Sequence, residues 1–356
     1  MLTHAKATSE IFSGMAETPN SSAPRLDFLI AASPSPAMLS QVAFFRMCLN
    51  ALGGAYGDAR LVVTLGDHDV ETLPGDWRRY FDGIEVEWAH APGAANPLHR
   101  AQHDRRFEVI RPNADVVVLC DADVALMRPF DELIADLMIR PAIAGVIAHY
   151  PFTVGNAQNV PIEQRTPEKD WRELSRKFIG KSIDCPYRFT LLDPDSEMRT
   201  PFYLNYGVVA GTPDIFSDFY KQDTRIRDQV SADVGDWWGP QISLTLAVAA
   251  LDLPSKALPM RYNFPNDPRA DNLYPDELKD VIFMHYLRTT RFNRSRIFAD
   301  PEAFEDFIGS HFLGSNEVFR RFVEQVTGGS FPFNWDGSTP TALSTRLFQR
   351  LRDLFR

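Results

Sequence analysis

Asp115-Val116-Val117-Val118-Leu119-Cys120-Asp121-Ala122-Asp123 is the stretch that decides how this chain is read. Its first part is an apolar, largely β-branched run with no polar alternation, as expected of a strand covered by helices on both faces. Two carboxylates follow at i and i+2, where such a strand leaves its sheet. Ligands of open α/β sheets bind outside the carboxyl ends of the strands, so position alone marks the pair as a site. Two aspartates there can approach one hard divalent cation and leave coordination positions open for phosphate oxygens. Left without a cation or a base, they would repel each other. The plainer alternative is that one Asp caps a turn and the other is solvated. The apolar run on one side and Val124-Ala125-Leu126-Met127-Arg128-Pro129-Phe130 on the other favour the metal reading.

Working outward, strands are expected over 26–32, 60–65 and 84–88, the first ended by Ser33-Pro34-Ser35-Pro36. Met38, Val42, Phe45, Leu49 and Leu52 recur at helical spacing and stop at Gly53-Gly54. Another helix is expected over 98–110, just before the acidic strand. Strands alternating with helices predict an α/β fold with a doubly wound, mostly parallel sheet. Residues 152–200 are polar and aperiodic and read as a cap over the site. A strand is expected over 202–210, a helix over 238–250, a strand over 281–284 and a helical tail over 301–322. Gly328-Gly329-Ser330 interrupts the chain before an amphipathic segment at 341–356. Residues 1–24, rich in Ser, Thr, Ala and Pro, read as a flexible leader, 25–300 as the main α/β domain and 301–356 as a C-terminal helical extension.

Of the 356 residues 44% are hydrophobic and 24% charged, which excludes disordered, collagenous and coiled-coil classes. Lys and Arg number 37 against 47 Asp and Glu, so no global basic field exists for nucleic acid. Any anionic ligand must be met by a local pocket. Cys48, Cys120 and Cys185 are odd in number and unrelated in spacing, which fits a reducing cytosol better than a disulfide framework or a zinc motif. No apolar run approaches the ~20 residues of a spanning helix, and no basic start followed by an apolar stretch marks an export signal. The expectation is a cytoplasmic enzyme.

The run Val117 to Val124 resembles the metal-binding strand exit of GT-A fold glycosyltransferases. The likeness is to the family 8-like group, which includes glycogenin and the lipopolysaccharide galactosyl- and glucosyltransferases. Further segments agree in type and order: Leu204-Asn205-Tyr206-Gly207-Val208, Gln241 opening an apolar helix, Leu258-Pro259-Met260-Arg261-Tyr262-Asn263, and Val281-Ile282-Phe283-Met284-His285-Tyr286. The resemblance implies a GT-A type, Rossmann-like sheet and a hexosyltransferase of polysaccharide biosynthesis. It would move a hexose from a nucleotide-diphosphate sugar, UDP being the usual nucleotide, to a glycan or lipid-linked acceptor, with retention.

A lone histidine after an apolar run is more often structural than a ligand. The resemblance instead implies that His285 completes a metal site with Asp121 and Asp123. Imidazole plus carboxylates suits Mn²⁺, with Mg²⁺ the alternative because oxygen donors dominate. It further implies that Ala31, Ser33 and Ala122 lie along the nucleotide and that Asn205 and Gly207 lie against the sugar. Asp67 is a looser candidate for a ribose or base edge. Asn205 can donate and accept, and a glycine two residues on permits close backbone approach, although Asn-x-Gly is also a common turn. Arg105 and Arg106 stand where the family carries a basic residue, and Arg105 is favoured. Of Arg288, Arg291, Arg294 and Arg296, Arg291 matches the family's lysine by offset, while Arg288 replaces a glycine. A solvated basic turn is the alternative for that cluster.

In Gly235-Asp236-Trp237-Trp238-Gly239-Pro240-Gln241, Pro240 takes the place of the family's sugar-contacting Asp before the Gln. Asp236 is the nearest carboxylate able to substitute, and Trp237 and Trp238 could either stack on a sugar or plug the core. Gln241, Asp236 and Asn205 are thus the expected catalytic set. Two rivals stand beside this reading: a non-catalytic nucleotide-sugar or glycan-binding protein with a degraded site, and a sugar nucleotidyltransferase. The latter needs a glycine-rich basic loop after the first strand, which Ser33-Pro34-Ser35-Pro36 is not. Leu343, Leu347, Phe348, Leu351, Leu354 and Phe355 fall on one helical face, with Arg346, Arg350, Arg352 and Arg356 elsewhere. Such a helix either lies on an anionic bilayer, giving peripheral contact at the inner membrane face, or docks on protein.

Overall fold

Successive residues of the central strands point into two different cores, as a sheet covered on both sides requires. Phe28 and Ile30, Leu61 and Val63, and Val116 and Val118 join one core; Leu29, Val62, Val117 and Leu119 join the other. The computed structural model describes residues 23–67, 72–90, 97–153 and 160–333. Its central sheet comprises β1 (Leu26–Ala32), β2 (Arg60–Asp67), β3 (Ile84–His90), β4 (Val116–Asp121), β6 (Ile143–Ile147), β9 (Leu204–Gly211) and β10 (Ser255–Ala257). They lie in the order β10-β6-β9-β4-β1-β2-β3. All neighbours pair in parallel except that β9 runs antiparallel to both β4 and β6. A second sheet joins β5 (Val124–Leu126), β11 (Phe264–Pro265) and β12 (Phe283–His285) in the order β11-β12-β5.

α1 (Pro36–Leu52) starts where Ser35 Oγ accepts from the Met38 N–H at 3.4 Å, with proline in its first turn. It ends at Gly53, whose φ of 67° is open to glycine, and whose N–H returns to the Leu49 carbonyl at 3.1 Å. α1 covers the first core with Phe44, Phe45 and Leu49. The other core is covered by α5 (Pro213–Val234) through Phe216 and Phe219, and by α6 (Gly239–Ala250) through Ile242 and Leu246. The α/β, mostly parallel, doubly wound architecture expected from the sequence is therefore the one observed.

The differences are local. The helix expected over 98–110 is α2, residues 97–108, whose regular turns flank a π turn at Ala101–Arg105. β9 begins at Leu204 rather than 202, and β12 is only Phe283–His285. The segment 152–200 adds no strand to the central sheet among the described residues. It holds α4 (Pro167–Ile179) and the small ladder of β7 (Tyr187–Arg188) with β8 (Arg199–Thr200). α3 (Asp131–Ile139) links β5 to β6. The tail forms two helices, α7 (Pro301–Gly309) and α8 (Gly314–Thr327), broken before Gly314 at φ 58°. The leader expected over 1–24, apart from its last two residues, and the amphipathic segment 341–356 lie outside the described residues. Among the described residues no helix is long and apolar enough to cross a membrane.

α8 shares the first core. Phe44 of α1 stacks on Phe298 with centroids 4.1 Å apart and meets the edges of Phe319 and Phe322 at 6.4 Å. Phe44 is fully buried. Phe44→Ala is expected to cost about 3–5 kcal/mol, the range for a buried aromatic that leaves a cavity. Urea denaturation measures this; a loss under ~1 kcal/mol would show that α8 is peripheral to the core.

Candidate metal centre and active site

Asp121 ends β4, and the chain turns through Ala122 and Asp123 directly into β5. β5 pairs antiparallel with β12, placing His285 opposite Val124. The Tyr286 N–H donates to the Asp123 carbonyl at 3.0 Å, and the Met127 N–H to the Ile282 carbonyl at 2.7 Å. Backbone hydrogen bonds thus bring together residues about 160 positions apart in sequence. His285 Nε2 lies 3.4 Å from Asp123 Oδ1 and 3.9 Å from Asp121 Oδ2. The three ligand atoms all fall within 4.8 Å of one another.

This donor set fits a divalent ion on chemical grounds. Two carboxylate oxygens and one imidazole nitrogen suit Mn²⁺, and Mg²⁺ on the strength of the oxygens. Burial holds the His285 imidazole below its ordinary pKa, with Arg288 pushing the same way and Asp121 opposing, so it is neutral and has a lone pair to give. On the far side of the ring, His285 Nδ1 is buried with no hydrogen-bond partner among the described residues, and so is Asn263 Oδ1. Both face Gly207: a Cβ built there would sit 2.4 Å from Nδ1 and 3.1 Å from Asn263 Oδ1. A ligating histidine is commonly oriented through its second nitrogen; here Gly207 and Asn263 wall the ring on that side without a hydrogen bond to Nδ1. Asn263 is itself tied to β9, donating to the Asn205 carbonyl at 3.3 Å.

The other expected residues are spread over several elements. Ala31 lies opposite Asp121 across the β1–β4 ladder. Ser33 follows at the end of β1, its Oγ 3.0 Å from that of Ser35. Asp67 ends β2. Asn205 Oδ1 accepts from the Gly207 N–H at 3.1 Å, so the Asn-x-Gly turn and the close approach to His285 coexist. Gln241, in the first turn of α6, accepts the Tyr203 hydroxyl at 2.9 Å. Asp236 and Trp237 are exposed in the turn before it, while Trp238 packs partly on the second core. Arg105 is paired with Glu87 and Glu108 at the outside. Its neighbour Arg106 is wholly buried: Nη1 donates to the Cys120 carbonyl at 3.4 Å, and Nε and Nη2 have no partner among the described residues. The Arg106 guanidinium also stacks 5.2 Å over the Tyr206 ring. Arg291 is exposed, and Arg288 pairs with Asp267 at 3.0 Å. The Arg288 backbone is gripped on both sides by buried Asn266, which accepts its N–H at 2.8 Å and donates to its carbonyl at 3.1 Å.

Two further residues stand at the site, one of them from the basic cluster after His285. Arg294 pairs with Asp123. His149, just beyond β6, places Nδ1 2.7 Å from Thr190 Oγ1 and buries an unpartnered Nε2. Burial, with the charge of Arg288 pushing the same way, lowers its pKa to about 3.

No protein-family model matches the chain, and no curated protein sequence does. Among solved structures it is similar to the galactosyltransferase LgtC in complex with donor and acceptor sugar analogues. Identity is 15%, coverage 86% of this chain and 97% of that one, and the TM-score 0.45. It is also similar to mouse xyloside xylosyltransferase 1, at 12% identity, covering 75% of this chain and 98% of that one, with a TM-score of 0.43. The bifunctional glycosyltransferase WbbM is matched at 11% identity over 91% of this chain and 53% of that one, TM-score 0.43. These likenesses are distant, and the functional conclusion stands on the chain's own geometry.

Gly207→Ala forces a methyl into the buried His285 ring and is expected to weaken Mn²⁺ binding by tenfold or more, about 1.4 kcal/mol. Electron paramagnetic resonance of free Mn²⁺ measures it; unchanged affinity would place the ring outside the metal site. The pH dependence comes from burial. A neutral form favoured in the fold keeps its lone pair below pH 6.5, the ordinary histidine value. Mn²⁺ affinity should therefore show no step centred at 6.5, and a titration with that midpoint would contradict the assignment.

Proposed function

We propose that the chain is a metal-dependent hexosyltransferase. It takes a hexose from a UDP-sugar and passes it to a glycan or lipid-linked acceptor, with the retention that the family resemblance implies. The observation that carries this reading is the convergence of Asp121, Asp123 and His285 from two sheets at the carboxyl end of β4. When bound there, Mn²⁺ or Mg²⁺ supplies Lewis acidity that spreads the charge of a departing diphosphate.

The protein's own groups have complementary tasks. Ala31 and Ser33 border the place where a nucleoside would lie, at the end of β1 beside Asp121. Arg106 backs the acidic strand end from the interior, donating to the Cys120 carbonyl and stacking on Tyr206 beside Asn205. Gln241 is oriented by Tyr203, which occupies its carbonyl oxygen and leaves its N–H₂ for the reacting face. Asn205, fixed by its turn onto Gly207, offers its N–H₂ to a sugar hydroxyl. Asp236 is the exposed carboxylate nearest Gln241 along the chain and is assigned to the acceptor side. An inverting transferase requires a base that deprotonates the acceptor; the retaining course places that demand on the leaving phosphate instead. The apolar and arginine-rich pattern of 341–356 favours a lipid-linked acceptor among the alternatives.

The purified chain should release UDP from one member of a UDP-hexose panel only when Mn²⁺ or Mg²⁺ is present. Asp123→Ala should slow this by about a thousandfold, since the ion contributes several kcal/mol to leaving-group stabilisation. Full activity in EDTA would remove the metal from the account. UDP-sugar binding without turnover for any acceptor would make the chain a binding protein.

A further inference from the structure

The turn between α5 and α6 carries two adjacent tryptophans that the fold separates. Trp238 packs partly on the second core, whereas Trp237 is 71% exposed. The backbone beneath them is tightly held. Gly235 follows α5 at φ 88°, open to glycine, and its N–H returns to the Ser231 carbonyl at 2.8 Å. Its carbonyl accepts from the Gly239 N–H at 2.9 Å, so one helical turn already spans Asp236 to Trp238 before α6 begins. Gly239 presses on α5: a Cβ built there would sit 2.9 Å from Ser231 Cα. Pro240 then fixes the next backbone torsion.

Residues four apart on a helix share a face, so Trp237 stands one turn outward from Gln241 on the same side. Gln241 is half-buried and is oriented by Tyr203, two residues before Asn205. The indole thus borders the reacting face from its solvent side, where an acceptor enters once the donor is seated. An aromatic ring presented on a fixed backbone loses little freedom on binding. Its flat face matches a ring with C–H bonds on one side and hydroxyls around the edge, the chemistry of a pyranose. The exposed carboxylate of Asp236 beside it accepts from hydroxyls, repels a phosphate and gains nothing from an alkyl chain.

Resting on the hexosyltransferase reading, we propose that Trp237 is the stacking platform of the acceptor subsite, and that the acceptor ends in a sugar whose ring lays a C–H face on the indole. Trp238 anchors the turn to the core, and Trp237 presents its ring to the incoming sugar. The acceptor is therefore selected by the shape of its terminal ring, whatever that ring is attached to.

The test uses the full chain, the UDP-hexose from which it releases UDP with metal, and octyl glycosides of glucose, galactose, mannose and N-acetylglucosamine as acceptor probes. Transfer kinetics are measured for the wild type, Trp237→Phe and Trp237→Ala. At least one glycoside should accept the hexose, and Trp237→Ala should raise its KM about tenfold more than the KM for the UDP-hexose, as befits loss of a stacked ring. Trp237→Phe keeps a smaller flat ring and should show the same split at about threefold. A purely structural tryptophan would raise both KM values together. If Trp237→Ala fails to fold, the split in Trp237→Phe decides. Equal or absent shifts in the two KM values, or transfer to none of the glycosides, overturn the proposal and leave the transferase reading standing. A wild type that releases UDP from no UDP-hexose, with or without metal, overturns both.

Discussion

Two carboxylates crowded at the end of a buried strand are the constraint around which the top of this sheet is built. Like charges in a poorly solvated place are costly unless a counter-charge is near. Here Asp123 is 13% exposed and Asp121 31%, so water relieves only part of the repulsion. The structure meets the rest with Arg294 on one oxygen of Asp123 and a neutral imidazole beside the other.

The geometry of the centre is enforced by main-chain pairing. β4 ends, two residues turn, and β5 pairs at once with β12, so the spacing of Asp123 and His285 follows from a ladder rather than from side-chain packing. β9 runs antiparallel in a parallel sheet, and this inserts Gly207 under the imidazole, where any Cβ would collide with it. The residue after the ligand, Tyr286, stacks on Phe319 of α8 at 4.5 Å, so the C-terminal helices buttress the site from one position away.

Much of this was legible because local rules and global fold agree. β1, β2 and β4 are largely apolar runs, β3 alternates Ile84-Glu85-Val86-Glu87-Trp88, and α1 carries both a cap and an apolar stripe. β6 and β10 were not legible: Ile143-Ala144-Gly145-Val146-Ile147 and Ser255–Ala257 are too short to show a period. α5 was hidden for a different reason. Phe216, Phe219, Ile226, Val230 and Val234 keep a helical rhythm, but Asp223 and Arg227 occupy the same buried face and break it. At the site, the acidic pair and His285 announce themselves by type and place. Arg105 and Arg106 were both marked, and the fold, with its π turn at Ala101–Arg105, buries Arg106 and pairs Arg105 with Glu87 and Glu108. Arg294 is one of four arginines after His285 that the sequence marks as a cluster, and nothing local singles it out, because its partner lies 171 residues away in sequence and is met only in the fold.

The buried charges of α5 tie a further arginine to the same logic. Arg227 donates to the His103 carbonyl inside the π turn at 2.7 Å, to Asp223 at 2.9 Å and to Asp104 at 2.5 Å. Ser243 of α6 donates to the other oxygen of Asp223 at 2.6 Å. Burial pushes the Asp223 carboxyl up, to about 6, against the opposing pull of Arg227 and the Ser243 hydroxyl. Removing one member of such a network leaves an uncompensated buried charge, at a cost of about 3–5 kcal/mol, so the network fixes geometry more than it adds net stability. It fixes the irregular turn that sets the facing of Arg106. The site therefore uses buried ion pairs at two depths. The pair of Arg227 with Asp223 is enclosed, with 7% of the arginine side chain exposed, and holds a backbone, whereas Arg294, 30% exposed, reaches the acidic pair from nearer the surface.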